Sequence, residues 1–238
     1  MDTARSDSDA RRLVDTIREE LAGIDREIRE HPYPGGFERK EFPLEALRPF
    51  VASEYYVAQS DLRSFGGMTQ RFGEKPETRS FFASVYQSED VAVNGLFRLA
   101  KRLGFTGEEL EAFEVEPNGF GYAAYVAWLA AYATSAEVAA ALLVNFGAWG
   151  NNCRRLRDSL KADYDVSDSD CVYLDTFADL PHHPPFEAEA LRIVQDGIDA
   201  GVPEYKIRRA PRLLQGYEKL FWDMMDRHVI ELGFVEAR

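Results

Sequence analysis

A glutamate within an apolar segment is the first candidate for chemistry in this sequence. Glu218 stands in GYEKLFWDMM, where Phe221 and Trp222 follow three and four positions later, on the same face of a helix. An unpaired carboxylate is costly to bury. Glu218 therefore either faces solvent or is held by hydrogen bonds inside a cavity. In a cavity, a glutamate with a raised pKa suits general acid–base catalysis.

An asparagine in the segment VAAALLVNFGAWGNN is the second candidate. Asn145 and Trp149 stand four positions apart and so share a face of a predicted helix. A carboxamide can donate and accept hydrogen bonds, but it does not replace a thiolate as a nucleophile. Asn145 is therefore a candidate for orienting a ligand rather than for attacking it.

Aromatic side chains interleaved with a few polar groups have the composition of a small-molecule pocket. Tyr122, Tyr125 and Trp128 recur every three positions in NGFGYAAYVAWLAAY, and Glu54 and Asp61 can share neighbouring faces in VASEYYVAQSDLRSF. Taken singly, each aromatic residue is expected to be an ordinary core residue. Taken together with the polar groups, they predict a pocket for a small-molecule ligand.

Metal ligands and activated nucleophiles are not evident in the sequence. None of the four histidines follows a glutamate at the Glu-x-x-His spacing of di-iron bundles, and the adjacent His182 and His183 stand in a Pro-flanked turn. Cys153 and Cys171 form no CxxC or zinc spacing, and no G-x-S-x-G motif is present. We interpret both cysteines as free structural thiols and expect no metal and no cofactor.

Composition excludes several partners. The 238 residues include 41 acidic and 28 basic side chains, and a formal net charge of −13 argues against nucleic-acid binding. The longest apolar stretch, residues 122–144, is interrupted by polar residues and predicts a buried helix rather than a membrane span. The polar N-terminus shows no signal peptide. We expect a cytoplasmic protein.

Helical periodicity runs along the whole chain, with no alternating β pattern, repeat or linker. It predicts one all-α domain over residues 1–238, with a flexible start over residues 1–6. A Pro/Gly break at HPYPGGFERKEFP separates the first two helices, and Thr106 and Glu109 predict a capping box. Ser135 is the predicted cap of the most apolar helix. The predicted long helices are 8–31, 44–72 with a possible break at Gly66–Gly67, 76–104 split near Ser88, 120–133, 135–163 and 206–234.

Several short segments resemble, in order, those of the thiaminase II (TenA) family. HPYPGGF is similar to a His-Pro-Phe segment, GYAAY to an A-Y-T-x-Y helix, and EKLFWDMM to an E-x-x-F-W-x-M ending. The resemblance extends over most of the chain, from HPYP through FWDMM. It implies a heme-oxygenase-like multi-helix bundle, and relatives with this fold usually assemble as homo-oligomers.

The resemblance also implies a set of site residues. It puts Glu218 at the family's catalytic glutamate, Glu54 at an aspartate, and Asn145 at the catalytic cysteine. Phe177 stands at a pocket tyrosine but has no hydroxyl group. The implied substrate-binding residues are Glu54, Tyr122, Asn145, Trp149, Phe177 and Phe221.

The missing cysteine leaves the function open. In the family, the cysteine attacks the electron-poor carbon of a 4-aminopyrimidine and the glutamate shuttles protons. The first hypothesis is a cysteine-independent hydrolase of an aminopyrimidine or other thiamine-related compound, with Glu218 as general acid and base. A non-catalytic small-molecule-binding protein on the same scaffold is the second, and an oxidase of the heme-oxygenase-like superfamily is the third.

Overall fold

The chain folds into a bundle of α-helices. The computed structural model describes residues 3–179 and 184–235, and these residues contain no β-strand. This confirms the predicted all-α class. The helices are α1 (Thr3–Glu20), α2 (Ala22–Arg29), α3 (Pro32–Glu38), α4 (Arg48–Arg71), α5 (Pro76–Arg102), α6 (Gly107–Glu111), α7 (Pro117–Tyr132), α8 (Ser135–Asp163), α9 (Val172–Asp179), α10 (Pro184–Asp199) and α11 (Glu204–Glu231), with a 3-10 turn at Leu44–Leu47 before α4.

The first part of the chain differs from the prediction in two places. The predicted helix 8–31 is divided into α1 and α2 at Leu21, whose ψ of 2° departs from helical geometry. The predicted break that follows contains a helix of its own, α3. Its start is fixed by Pro32 at the first position and by the His31 ring, whose Nδ1 accepts a hydrogen bond from the Tyr33 backbone N–H.

The two breaks predicted within the long helices are absent. α5 is continuous through Ser88, whose hydroxyl donates to the carbonyl of Ser84 and so stays within the helix. α4 likewise continues through Gly66 and Gly67. A glycine costs a helix about 1 kcal/mol relative to alanine. The packing of α4 against α5 and α7 outweighs that cost.

One of the two predicted N-terminal helix caps is confirmed, and the other lies one residue earlier than predicted. Thr106 and Glu109 form the predicted capping box of α6. At α8 the cap is Thr134 rather than Ser135, because Thr134 has the extended ψ of 161° and accepts from the Glu137 backbone N–H. Oε2 of Glu137 accepts a hydrogen bond from the Thr134 backbone N–H, which completes a second capping box.

The apolar helix α8 runs through the core. It packs against α9, α10 and α11, and most of its residues from Ala136 to Gly150 are buried. The hydrophobic core therefore lies on both sides of α8, with one cluster towards α1 and α10 and another towards α3, α9 and α11.

Some predictions fall where the structure does not test them. His182 and His183, in the predicted turn before α10, lie outside the described residues, as do residues 1–2 of the predicted flexible start. No helix in the described part of the chain is long and apolar enough to cross a bilayer. The cytoplasmic location stays a prediction.

Candidate small-molecule site

A cavity among α4, α5, α7, α8, α9 and α11 collects most of the predicted site residues. Glu54, Tyr122, Trp149, Phe177, Glu218 and Phe221 line it, and the seventh, Asn145, lies directly behind this lining. The structure therefore brings all seven together, although they are spread over five separate helices and 168 positions of the chain, from 54 to 221.

The α4 wall of the cavity follows from helical spacing. Glu54, Val57, Ala58 and Asp61 stand at positions i, i+3, i+4 and i+7, and all four line the cavity. Val57 stands where the family resemblance places a tyrosine. One face of α4 thus presents two carboxylates separated by two small apolar side chains.

Glu218 of α11 is fully buried and lines the cavity. The indole Nε1–H of Trp222 donates to its Oε1 at 3.0 Å, and Nδ2 of Asn145 donates to its Oε2 at 2.5 Å. Burial raises the pKa of Glu218 to about 8, although both hydrogen bonds act to lower it. A carboxyl group with such a pKa can take up and release a proton near neutral pH.

Asn145 links three side chains behind the lining. Its Oδ1 accepts a hydrogen bond from the hydroxyl of Tyr122 at 2.8 Å, and its Nδ2 also donates to Oε1 of Gln215 at 2.8 Å. The position that the resemblance assigns to a nucleophile thus holds a group that orients Tyr122 and Glu218. Asn145 therefore reaches the cavity only through these two neighbours.

A tyrosine that the sequence did not single out supplies a hydroxyl near Glu54. Phe177 lines the cavity without a hydroxyl, whereas Tyr173, one turn earlier on α9, donates to Oε2 of Glu54 at 2.6 Å. Burial raises the pKa of Glu54 to about 8, against the opposing effect of this hydrogen bond.

Two more buried carboxylates line the cavity: Asp61, which the sequence groups with Glu54, and Glu89, which the sequence does not single out. Asp61 is 5% exposed and Glu89 of α5 is 4% exposed. Burial, together with the charge of Glu54, raises the pKa of Glu89 to about 8. Burial, followed by the charges of Glu89 and Glu54, also holds the pKa of Asp61 well above its usual value. Glu89 falls on the apolar stripe of α5 between Val85 and Ala92, the same signal that identified Glu218.

The remaining lining is aromatic. The Trp149 ring meets Phe177 and Phe221 edge-on, at centroid distances of 6.3 and 5.8 Å. The cavity has a volume of about 20 Å³, enough for about one water molecule. A ring-sized ligand therefore needs movement of the lining side chains.

The two cysteines and the histidines His31 and His228 do not line the cavity. Cys153 and Cys171 are buried outside the cavity lining, and burial raises the pKa of both thiols. Nε2 of His31 lies 3.2 Å from Oδ1 of Asp223, and Nε2 of His228 lies 2.8 Å from Oε1 of Glu116. Within residues 3–179 and 184–235, no group of three or more His, Cys, Asp or Glu side chains is placed to hold a metal ion.

Comparison with known families decides the membership of the chain. The sequence model of the TENA/THI-4/PQQC family matches residues 18–228. The chain belongs to this family. The TENA/THI-4/PQQC match includes every residue that lines the cavity. None of the curated proteins compared with the chain matches it significantly.

Solved structures share the fold of this TENA/THI-4/PQQC member at low sequence identity. A TenA homologue from Pseudomonas syringae pv. tomato is 15% identical with a TM-score of 0.73, covering 90% of this chain and 92% of the other. A TenA homologue from P. horikoshii OT3 is 19% identical with a TM-score of 0.68, covering 90% and 98%. A Shewanella denitrificans domain with a heme oxygenase-like fold is 10% identical with a TM-score of 0.67, covering 100% and 98%. The predicted heme-oxygenase-like fold is therefore confirmed.

Proposed function

We propose that this protein is a TenA-like hydrolase that acts on an aminopyrimidine or related amino-heterocycle without a cysteine nucleophile. The observation that carries the proposal is the state of Glu218. This carboxyl group is buried, lines the cavity and is held by Asn145 and Trp222, and burial raises its pKa to about 8. These are the properties of a general acid and base near neutral pH.

The reaction follows from the chemistry of these groups. In its carboxylate form, Glu218 takes a proton from a water molecule as the water oxygen bonds to the ring carbon that carries the amine. The protonated Glu218 then gives that proton to the departing nitrogen as the carbon–nitrogen bond breaks. Tyr122 and Glu54 orient the ring, and Asn145 holds Glu218 in place through the hydrogen bond to its Oε2.

Turnover by purified protein tests the proposal. Thiamine and 4-amino-5-aminomethyl-2-methylpyrimidine are offered, and released ammonia is measured. Glu218→Gln is expected to lower kcat/KM by about 10²- to 10⁴-fold, as loss of a general base does. Glu231→Gln, an exposed change on the same helix, is the control and should keep full activity. Wild-type turnover that survives in Glu218→Gln would contradict the proposed role.

A non-catalytic binding protein is the second candidate. The observation that favours it is the asparagine at the position of the family's nucleophile, together with the placement of Cys153 outside the cavity lining. On this interpretation the wild type binds the pyrimidines without turning them over, and Asn145→Cys acquires activity.

We further propose that the protein self-associates through α7. Trp128 is 41% exposed and Tyr132 is 71% exposed, one turn apart and in ring contact on that helix. Exposed aromatic patches of this kind mark interaction surfaces. Analytical ultracentrifugation of Trp128→Ser with Tyr132→Ser should show a smaller species than the wild type, and an unchanged sedimentation coefficient would overturn the proposal.

A further inference from the structure

The cavity contains more acidic groups than the proposed hydrolysis uses. Four carboxyl groups line it, those of Glu54, Asp61, Glu89 and Glu218. None of the described lining residues is a lysine, an arginine or a histidine. The reaction described above gives no role to Asp61 or Glu89.

Asp61 carries a hydrogen-bond acceptor with nothing to accept from. Its Oδ1 is buried, and among the described residues no side chain or backbone group donates to it. Leaving a buried acceptor unsatisfied costs about 1–3 kcal/mol, and more for a charged group. A donor supplied by a ligand would remove this cost.

Glu89 adds a second acidic group near the first. It reaches the cavity from α5, which packs against the α4 helix that carries Asp61. The charge of Glu89 is the leading electrostatic contribution, after burial, to the raised pKa of Asp61. Two like charges brought together in a buried site are stabilised either by sharing protons or by a positive charge between them.

We propose that the Asp61–Glu89 pair binds the protonated amino group of an organic ligand, so that the cavity selects aromatic ammonium compounds over neutral ones of the same shape. The inference rests on the cavity used in the proposed function, but not on any turnover. An ammonium group provides up to three hydrogen-bond donors, which suits the free oxygen of Asp61. The aromatic lining favours a flat ligand, and aromatic rings attract a cation that is placed over their faces.

An ammonium group fits these observations better than a metal ion. A metal site needs several ligand atoms converging on one point, and no such group of His, Cys, Asp or Glu occurs among the described residues. The phenylalanine and tryptophan rings that also line the cavity provide no metal ligands, whereas they match the body of an organic amine.

Calorimetric titration with a matched pair of probes tests the proposal. Benzylammonium chloride and benzyl alcohol share a ring and differ in charge at one position. The wild type is expected to bind benzylammonium about tenfold or more tightly than benzyl alcohol, as expected for a buried charge pair. Asp61→Asn and Glu89→Gln should each reduce that preference to about threefold or less. Asp90→Asn, an exposed change next to Glu89, is the control.

The thermal stability of the variants excludes misfolding as the cause of a lost preference. Because Asp61 is buried beside the like charges of Glu89 and Glu54, the uncharged Asp61→Asn should raise the melting temperature while it weakens amine binding. Equal binding of the two probes, or no saturable binding of benzylammonium, overturns the proposal. So does a stabilisation by MgCl₂ or MnCl₂ alone that vanishes in Asp61→Asn, since it would identify a metal site.

These outcomes are separate from those of the turnover assay. A protein that prefers benzylammonium but shows no turnover of the pyrimidines supports the ammonium site and contradicts the hydrolase. A protein whose Glu218-dependent turnover is intact and whose probe preference is absent supports the hydrolase and contradicts the ammonium site.

Discussion

The side-chain amide of Asn145 donates a hydrogen bond to Oε2 of Glu218 over 2.5 Å. The family resemblance places a nucleophilic cysteine at Asn145, and the structure instead gives this position a supporting contact to the general acid and base of the proposed reaction. The same amide accepts from Tyr122 and donates to Gln215. One substitution at position 145 therefore changes the environment of three side chains.

Asn145→Ala is expected to raise the pKa of Glu218 above its value of about 8, because the hydrogen bond from Asn145 lowers that pKa. It should also reduce the free energy of unfolding by about 1–3 kcal/mol, since Tyr122 and Gln215 lose a partner. Carboxyl titration by NMR and denaturant unfolding measure the two effects. Asn151→Ala, on the same helix, is the control, and a lowered Glu218 pKa in Asn145→Ala would contradict the expectation.

Stability should fall as the pH rises from about 7 to about 9. The pKa of each of Glu54, Glu89 and Glu218 is raised from 4.5 to about 8 by burial in the folded state. The folded protein thus binds protons that the unfolded chain has released, and this stabilisation is lost as the pH passes the folded pKa. Burial lowers the pKa of His31, so the titration of His31 changes the stability at a pH below this range.

Thermal melts across that pH range measure the effect on stability. Glu89→Gln is expected to flatten the decline, because an amide in its place does not titrate. A melting temperature that increases between about pH 7 and about pH 9 would show that these carboxyl groups are not protonated in the folded protein.

Tyr173→Phe is expected to raise the pKa of Glu54 and to destabilise the fold by about 0.5–1.5 kcal/mol. The reason is the 2.6 Å hydrogen bond from the Tyr173 hydroxyl, which the variant removes without changing the ring. Denaturant unfolding gives the stability, and Tyr205→Phe, at an exposed tyrosine, is the matched control. Equal stabilities of the two variants would mean that this hydrogen bond contributes nothing.

Cys153→Ala and Cys171→Ala should each keep the wild-type kcat/KM if the proposed mechanism is independent of cysteine. Both thiols are buried, and burial raises the pKa of Cys171 to about 11 and that of Cys153 well above its usual value. A thiol-specific dye should therefore react with the folded protein far more slowly than with the unfolded chain. Loss of turnover in a variant that remains folded would assign that cysteine a role.

Most helices could be predicted from the sequence because their apolar residues repeat at helical spacing. The capping box of Thr106 and Glu109 is local and was predicted correctly. The errors occur at positions where tertiary packing decides whether a helix ends or continues. The chain breaks at Leu21, which has no break signal, and continues through Ser88, where α5 is supported by neighbouring helices.

The site could be predicted in part for a related reason. Glu218 is recognisable because a carboxylate stands on an apolar stripe, and Glu89 carries the same signal without a family motif to draw attention to it. The bond between Tyr173 and Glu54 joins residues 119 positions apart. No local pattern encodes such a contact, so only the folded chain reveals it.

The acidic lining of the cavity has a consequence for how occupancy would be measured. Near neutral pH, Glu54, Glu89 and Glu218 are largely protonated in the empty protein, since the pKa of each is about 8. A positively charged ligand favours their ionised forms, so its arrival expels protons into the buffer. Binding of a cation is then coupled to proton release, and the measured heat of binding depends on the ionisation enthalpy of the buffer.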